Sequence, residues 1–236
     1  MWKGHCRFFK YVCRAPADDV LCPDNTYVET THTPREEIFL TSKLKNNSSY
    51  EQALTDLKSS LKRSGVEYFD LYLMHSAIGG PVVRKNVWKA LCDAQSQGLV
   101  KSIGVSNFGK KHIQEFIDQK VPLPTVNQVD LHPFMRHPEI VDICEQNEIL
   151  LEAWGPLARA MRFDHPVVVK IANEKGKDAA QIMLRWGIQH VRSETSSISY
   201  ATDVLFRALL SSPSLCLKSE LFPTPRSLIL SSLPRR

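Results

Sequence analysis

IFLTSKLKNNSSYEQALTDLKSSLKRSGVEYFDLYLMH, residues Ile38–His75, reads as a strand, a helix and a second strand. Ile38–Leu44 is a short apolar run with a polar finish. Ser48 stands three residues before Glu51, the spacing of a capping box whose hydroxyl accepts from a free N–H of the new helix. Tyr50, Ala53, Leu54, Leu57 and Leu61 then recur at helical spacing as far as Gly65, a residue suited to the left-handed position past a helix end. Asp70–His75 (DLYLMH) is the second strand, apolar almost throughout.

The same rhythm runs on to residue 190. Val87, Trp88, Leu91 and Cys92 mark a helix that stops at Gly98, and Ser102–Asn107 (SIGVSN) is a strand. Ile113, Phe116 and Ile117 mark the next helix, and Thr125–Leu131 (TVNQVDL) a fourth strand. Ile140, Val141 and Cys144 lie behind it on a helix, and Leu150–Leu157 (LLEAWGPL) is a fifth strand with its exit loop. Helical patterns at Val167–Lys175 and Ala179–Gln189 complete the series. Near-continuous apolar strands alternating with helices mean an α/β fold with parallel strands covered by helices.

A doubly wound sheet and a barrel both satisfy that alternation. No GxGxxG or GxxxxGK[ST] follows a strand, which counts against the usual phosphate-cradling doubly wound folds. Lys43, His75, Ser106 with Asn107, and Trp154 each close an apolar strand at its C-terminal side. In an α/β barrel that rim is where loops converge and chemistry occurs. Four strands ending this way point to a barrel.

Composition narrows the class further. The 236 residues are 43% hydrophobic and 23% charged, which is globular rather than disordered or fibrous. No apolar run approaches the ~18–20 residues of a membrane span. Of the net charge of +5, residues 191–236 carry six Lys/Arg against three Asp/Glu, and no window is strongly basic. Solvated surface charge explains it, and no nucleic-acid partner is expected. Cys6, Cys13, Cys22, Cys92, Cys144 and Cys216 form no CxxC pair or regular framework. The N-terminus has four cations before Asp18 but is not Ser-rich, and its apolar run is too short for a secretory signal. A reducing, cytoplasmic location is therefore expected, with Asn46 and Asn47 unmodified despite their N-x-S sequons.

Residues 34–190 resemble the aldo-keto reductase family. The resemblance rests on REEIFLTSKL, YFDLYLMH, GLVKSIGVSNF, PTVNQVDLHPF, LLEAWGPLAR and GKDAAQIMLRWGIQ, in the family's own order. Leu91, nine further residues and then KSIGVSNF (101–108) fit a family signature. The resemblance implies an eight-stranded (β/α)8 TIM barrel that reduces aldehydes and ketones to alcohols with NADPH. It implies a tetrad of Asp, Tyr, Lys and His, in which the Tyr protonates the carbonyl oxygen and the Lys lowers the phenol's pKa from its usual ~10. Lys43 matches the tetrad lysine and His75 the tetrad histidine. Ser106, Asn107 and Gln128 match side chains that bind the nicotinamide carboxamide. Trp154 stands where many members stack a Tyr on the nicotinamide, and Leu157 is expected beneath the pyrophosphate. His132-Pro133 and His137-Pro138 read as loop and helix-start features, and no metal site is expected.

The chain also departs from the family. The barrel's first two strands, with the tetrad Asp and the Tyr five residues later, should precede residue 34, yet Asp24 and Tyr27 are three apart and lack a strand before them. An eighth strand with Lys-Ser and an Arg for the 2′-phosphate should follow residue 190. Residues 191–236 instead hold 11 Ser, 9 Leu and no Gly, a composition foreign to a phosphate-binding βα unit.

The expected organisation is thus a divergent segment 1–33, a barrel domain 34–190 and a divergent, poorly ordered tail 191–236. It reads as a truncated barrel with strands three to seven recognisable and one, two and eight not. Five strands cannot close an eight-stranded barrel, and the strands at Ile38–Leu44 and Leu150–Leu157 would be left with open edges. Two functions follow from the resemblance. One is NADPH-dependent reduction of a small carbonyl substrate, carried by Lys43 and His75. The other is a catalytically inactive relative that binds nucleotide or a partner, or a fragment without function. Oligomeric state is not legible in the sequence.

Overall fold

The structure, a computed structural model, describes residues 34–190. Asp24, Tyr27, four of the six cysteines and the short runs at Ser197–Tyr200 and Leu228–Leu230 lie outside the described residues. Five strands form one sheet: β1 (Thr41–Leu44), β2 (Phe69–Met74), β3 (Val100–Ser106), β4 (Val126–Asp130) and β5 (Leu150–Trp154). They alternate with α1 (Tyr50–Ser64), α2 (Gly80–Ser96), α3 (Lys110–Asp118) and α4 (Pro138–Gln146), and α5 (Pro166–Lys175) and α6 (Ala179–His190) follow.

Every strand pair is parallel, and the order across the sheet is β1-β2-β3-β4-β5. The order never reverses, so the sheet has no switch point of the doubly wound kind. Side chains alternate between two faces. Tyr72, Met74, Ile103, Val105, Val129 and Leu151 join Leu57, Leu61, Trp88, Leu91, Ile113, Phe116, Cys144 and Trp186 from the helices in one core. Leu71, Leu73, Val126 and Leu150 face the other way and form a separate cluster with Phe39, with no helix residue in it. Helices on one face and strand residues alone on the other is the layering of a barrel wall. Among the described residues β1 and β5 each pair on one side only.

Helix ends follow local chemistry, with one shift from expectation. The N-cap of α1 is Ser49, not Ser48: Ser49 has extended dihedrals and its hydroxyl accepts from Gln52 N at 3.2 Å. Both serines precede a residue able to complete a box. Ser49 holds the position because the helix starts at Tyr50, which puts Gln52 third in the first turn. Gly65 closes α1 at φ +65°, with its N–H on Leu61 O and Lys62 O. Between helices and sheet, Trp88 stacks on Phe116 at 5.0 Å and donates its indole N–H to Pro122 O at 2.7 Å, so its one polar atom is satisfied where it is buried.

Candidate functional site

The inward positions of the strands carry polar residues at their C-terminal ends. Register places Lys43 beside Leu73, Leu73 beside Gly104, Ser106 beside Gln128, Gln128 beside Glu152 and Asp130 beside Trp154. Below this level the same face is apolar, with Leu71, Leu73, Val126 and Leu150. The sheet thus has a greasy floor and a polar mouth, and the mouth lies at the strand ends, where βα loops begin.

Two bonded groups occupy the mouth. In the first, the Lys43 ammonium donates to Gln128 Oε1, and Gln128 Nε2 donates to Glu152 Oε1 at 2.5 Å. Burial pushes the Glu152 carboxyl above its ordinary pKa, while the Gln128 bond and the Lys43 charge pull it down. In the second group, Asn107 donates through Nδ2 to His75 O at 2.9 Å and to Ser106 Oγ at 3.2 Å. The Asn107 backbone N–H donates to Gln128 O at 2.8 Å, which ties the second group to the first. Asn107 sits at φ +60°, a left-handed conformation that Asn tolerates better than most residues because its side chain bonds locally. Ser106 and Gln128 are buried, and Asn107 is exposed.

Trp154 closes β5, half-buried, with the Arg159 guanidinium 5.4 Å from its ring centroid. Arg159 belongs to a tight turn in which Ala158, Arg159 and Ala160 have φ of 47°, 53° and 61°. Leu157, at the head of that turn, packs against the helix-side core and against a smaller cluster with Val168 and Met183. Lys43, His75, Ser106, Asn107 and Gln128 are therefore linked by hydrogen bonds. Trp154 lies two residues along β5 from Glu152 on the same face, and Leu157 stands apart in the loop beyond.

Three residues of the site carried no signal that single-sequence reading could use. Glu152 reads as an ordinary polar interruption in LLEAW. Asn127 is fully buried on the helix side of β4, donates to Phe108 O at 2.9 Å and accepts from Phe108 N at 3.4 Å. It thereby clamps the loop that carries Ser106 and Asn107. Asp130 has Oδ1 3.4 Å from His132 Nε2, and His132 Nδ1 accepts from Phe134 N, which assigns the ring proton to Nε2. Burial lowers the His132 pKa more than Asp130 raises it.

Comparison with known proteins agrees with this architecture. The profile of the aldo/keto reductase family matches residues 25–205. An uncharacterized oxidoreductase of Schizosaccharomyces pombe is 42% identical over 164 residues, 69% of this chain and 58% of its own length. Glyoxal reductase of Bacillus subtilis is 38% identical over 164 residues, 69% of this chain and 59% of its own. The chain thus spans a little under 60% of the length of these curated relatives. Among solved structures, an aldo/keto reductase from Brucella melitensis superposes with a TM-score of 0.68 at 31% identity, covering 79% of this chain and 74% of that one. A Bombyx mori aldo-keto reductase in complex with NADP gives 0.64 at 28% identity, covering 78% and 66%. Five parallel strands in sequential order, helices on one face and a family match over most of the residues make this chain a member of the aldo/keto reductase family.

Proposed function

We propose that the chain binds NADPH at the strand-end mouth and reduces small aldehyde or ketone carbonyls to alcohols. The bond between Lys43 and Gln128 carries this reading. These residues are 85 apart in sequence, and one matches the family's reaction machinery while the other matches its carboxamide site. The residues present suit the cofactor. Gln128 commits one acceptor site to Lys43 and one N–H to Glu152, which leaves one of each for an amide ligand. Ser106 and Asn107 add further donors and acceptors beside it, and Trp154 supplies an indole face for stacking. When bound, the reduced nicotinamide supplies hydride.

The chain's own residues would orient the carbonyl, and the proton that completes the alcohol would come from water, relayed through the Lys43 ammonium. His75 would hold the carbonyl oxygen by a hydrogen bond, and Lys43 would place a positive charge where negative charge develops on that oxygen. Among the described residues each tyrosine is engaged away from the mouth. Tyr50 donates to Asp93 at 2.8 Å, Tyr68 has its ring 4.1 Å from Arg35 and 4.0 Å from Lys101, and Tyr72 lies in the helix-side core. That placement favours a second reading, nucleotide binding without turnover.

Purified protein mixed with NADPH and a nitrobenzaldehyde separates the two. Loss of cofactor absorbance that Lys43→Met and His75→Ala abolish supports the reductase. NADPH fluorescence enhancement without oxidation supports the binding protein. The absence of both signals would overturn the proposal.

A further inference from the structure

Resting on the carboxamide placement proposed above, we propose that Glu152 is a positioning residue whose buried carboxylate fixes the direction of the Gln128 amide and, through it, the hold on the nicotinamide end of the nucleotide. Gln128 is caught between opposite charges: its Oε1 accepts from the Lys43 ammonium and its Nε2 donates to Glu152 Oε1. A glutamine amide is normally free to turn over, because its oxygen and nitrogen ends have the same shape. Here a flipped amide would set N–H against ammonium and carbonyl oxygen against carboxylate. In a half-buried site both contacts are strongly repulsive. Lys43 and Glu152 together therefore leave Gln128 one orientation, with a defined N–H and a defined lone pair remaining for a ligand.

The carboxylate has no evident task in folding. Glu152 occupies an inward position of β5, two residues from Leu150, which is apolar and packed on Val126 and its neighbours. Its Oε2 is closed to solvent and accepts no hydrogen bond among the described residues. An inaccessible carboxylate oxygen without a donor is costly, and an aliphatic residue would fit the apolar floor with no such cost. What an aliphatic residue could not do is oppose Lys43 across the Gln128 amide. A neutral glutamine at position 152 could not do so either, since its own amide can donate or accept.

The test compares two ligands, NADPH and 2′-phospho-ADP-ribose, which has the same nucleotide portion without the nicotinamide. Both are titrated into the wild-type chain and into Glu152→Gln, Glu152→Leu and Glu152→Asp, with thermal melts confirming that each variant is folded. Glu152→Gln and Glu152→Leu are expected to weaken NADPH about tenfold and to leave 2′-phospho-ADP-ribose unchanged, with Glu152→Asp retaining part of the NADPH affinity. Equal losses for both ligands would make Glu152 merely structural and overturn the inference, as would unchanged NADPH affinity in Glu152→Gln. A wild-type chain that binds the nicotinamide-free ligand but gains nothing from the nicotinamide overturns the inference while leaving nucleotide binding intact. A chain that binds neither overturns both.

Discussion

Lys43 and Gln128 are in hydrogen-bond contact although they stand on β1 and β4, with two whole strands between them. In a flat sheet those strands would lie about 14 Å apart, and side chains rising in parallel could not close that gap. The sheet must curl toward its inward face, and the curl turns a row of polar strand ends into one mouth. Gln128→Leu removes the link. It strips Glu152 of its only hydrogen-bond donor among the described residues while leaving the carboxyl enclosed. A loss of about 1–3 kcal/mol is expected, read as a lower urea midpoint with an unchanged slope. An unaltered midpoint would mean that the bond contributes nothing to the folded state.

Asn127 should prove more important to the loop than its neighbour Asn107. Asn127 is buried, bonds both backbone groups of Phe108 and lies 3.7 Å from Cys144 Sγ. Asn127→Ala leaves the Phe108 N–H and C=O without their partner, and a cost of about 2–4 kcal/mol is expected for two buried orphaned groups. Amide exchange at Phe108 and Gly109 should accelerate beyond what global destabilisation explains. Asn107→Gly, by contrast, keeps the left-handed conformation at φ +60° and loses one exposed side-chain bond to His75 O and one long, part-buried bond to Ser106 Oγ, so the protein's stability should fall by about 1 kcal/mol or less.

The elements were legible because each has its own local signal: continuous apolar strands, helices with a stripe every three or four residues, and Gly65 as a stop. The choice between barrel and doubly wound sheet was legible only indirectly, from polar residues at successive strand ends. The strand order and the helix-free inward cluster of Leu71, Leu73, Val126 and Leu150 then decide it. The candidate site was legible in part. Lys43, His75, Ser106, Asn107 and Gln128 came from family motifs, since nothing local distinguishes a mouth lysine from a surface one. Glu152 and Asn127 were silent for a physical reason. Their meaning depends on which residue lies alongside on the next strand or loop, 24 residues away for Glu152 and 19 for Asn127, and register across parallel strands leaves no mark in a short window.

Gly104 is the inward residue of β3 between Leu73 and Val126, and the space there admits no side chain. A Cβ would stand 2.6 Å from Leu73 Cδ2 and 2.7 Å from Val126 O. The leucine tip can swing aside, but the carbonyl belongs to the neighbouring strand and can retreat only if β3 and β4 separate. Gly104→Ala should therefore destabilise by about 1–3 kcal/mol despite the better intrinsic strand propensity of alanine. The separation would also move Ser106 away from Gln128, so NADPH titration should weaken along with the urea midpoint. A variant as stable as the wild type would show that the sheet yields at this point.

Stability should fall at alkaline pH for reasons traceable to two buried groups. Burial pushes the Tyr72 phenol up to about 12 and the Cys144 thiol up to about 11. In the unfolded chain these groups lose their protons near 10 and near 8.5. Above pH ~9 the unfolded state therefore binds fewer protons than the folded one, and the stability of the fold decreases as pH rises. The contribution is fully present below the unfolded pKa values and is lost as pH climbs through the folded ones, on the order of 2–3 kcal/mol for each group. Thermal melts from pH 8 to 11.5 should show a steepening decline. Cys144→Ala should flatten its lower part and Tyr72→Phe its upper part, because each removes one of the two protons retained by folding. Parallel curves for wild type and both variants would show that these protons are not held by the core, and that the alkaline slope arises elsewhere.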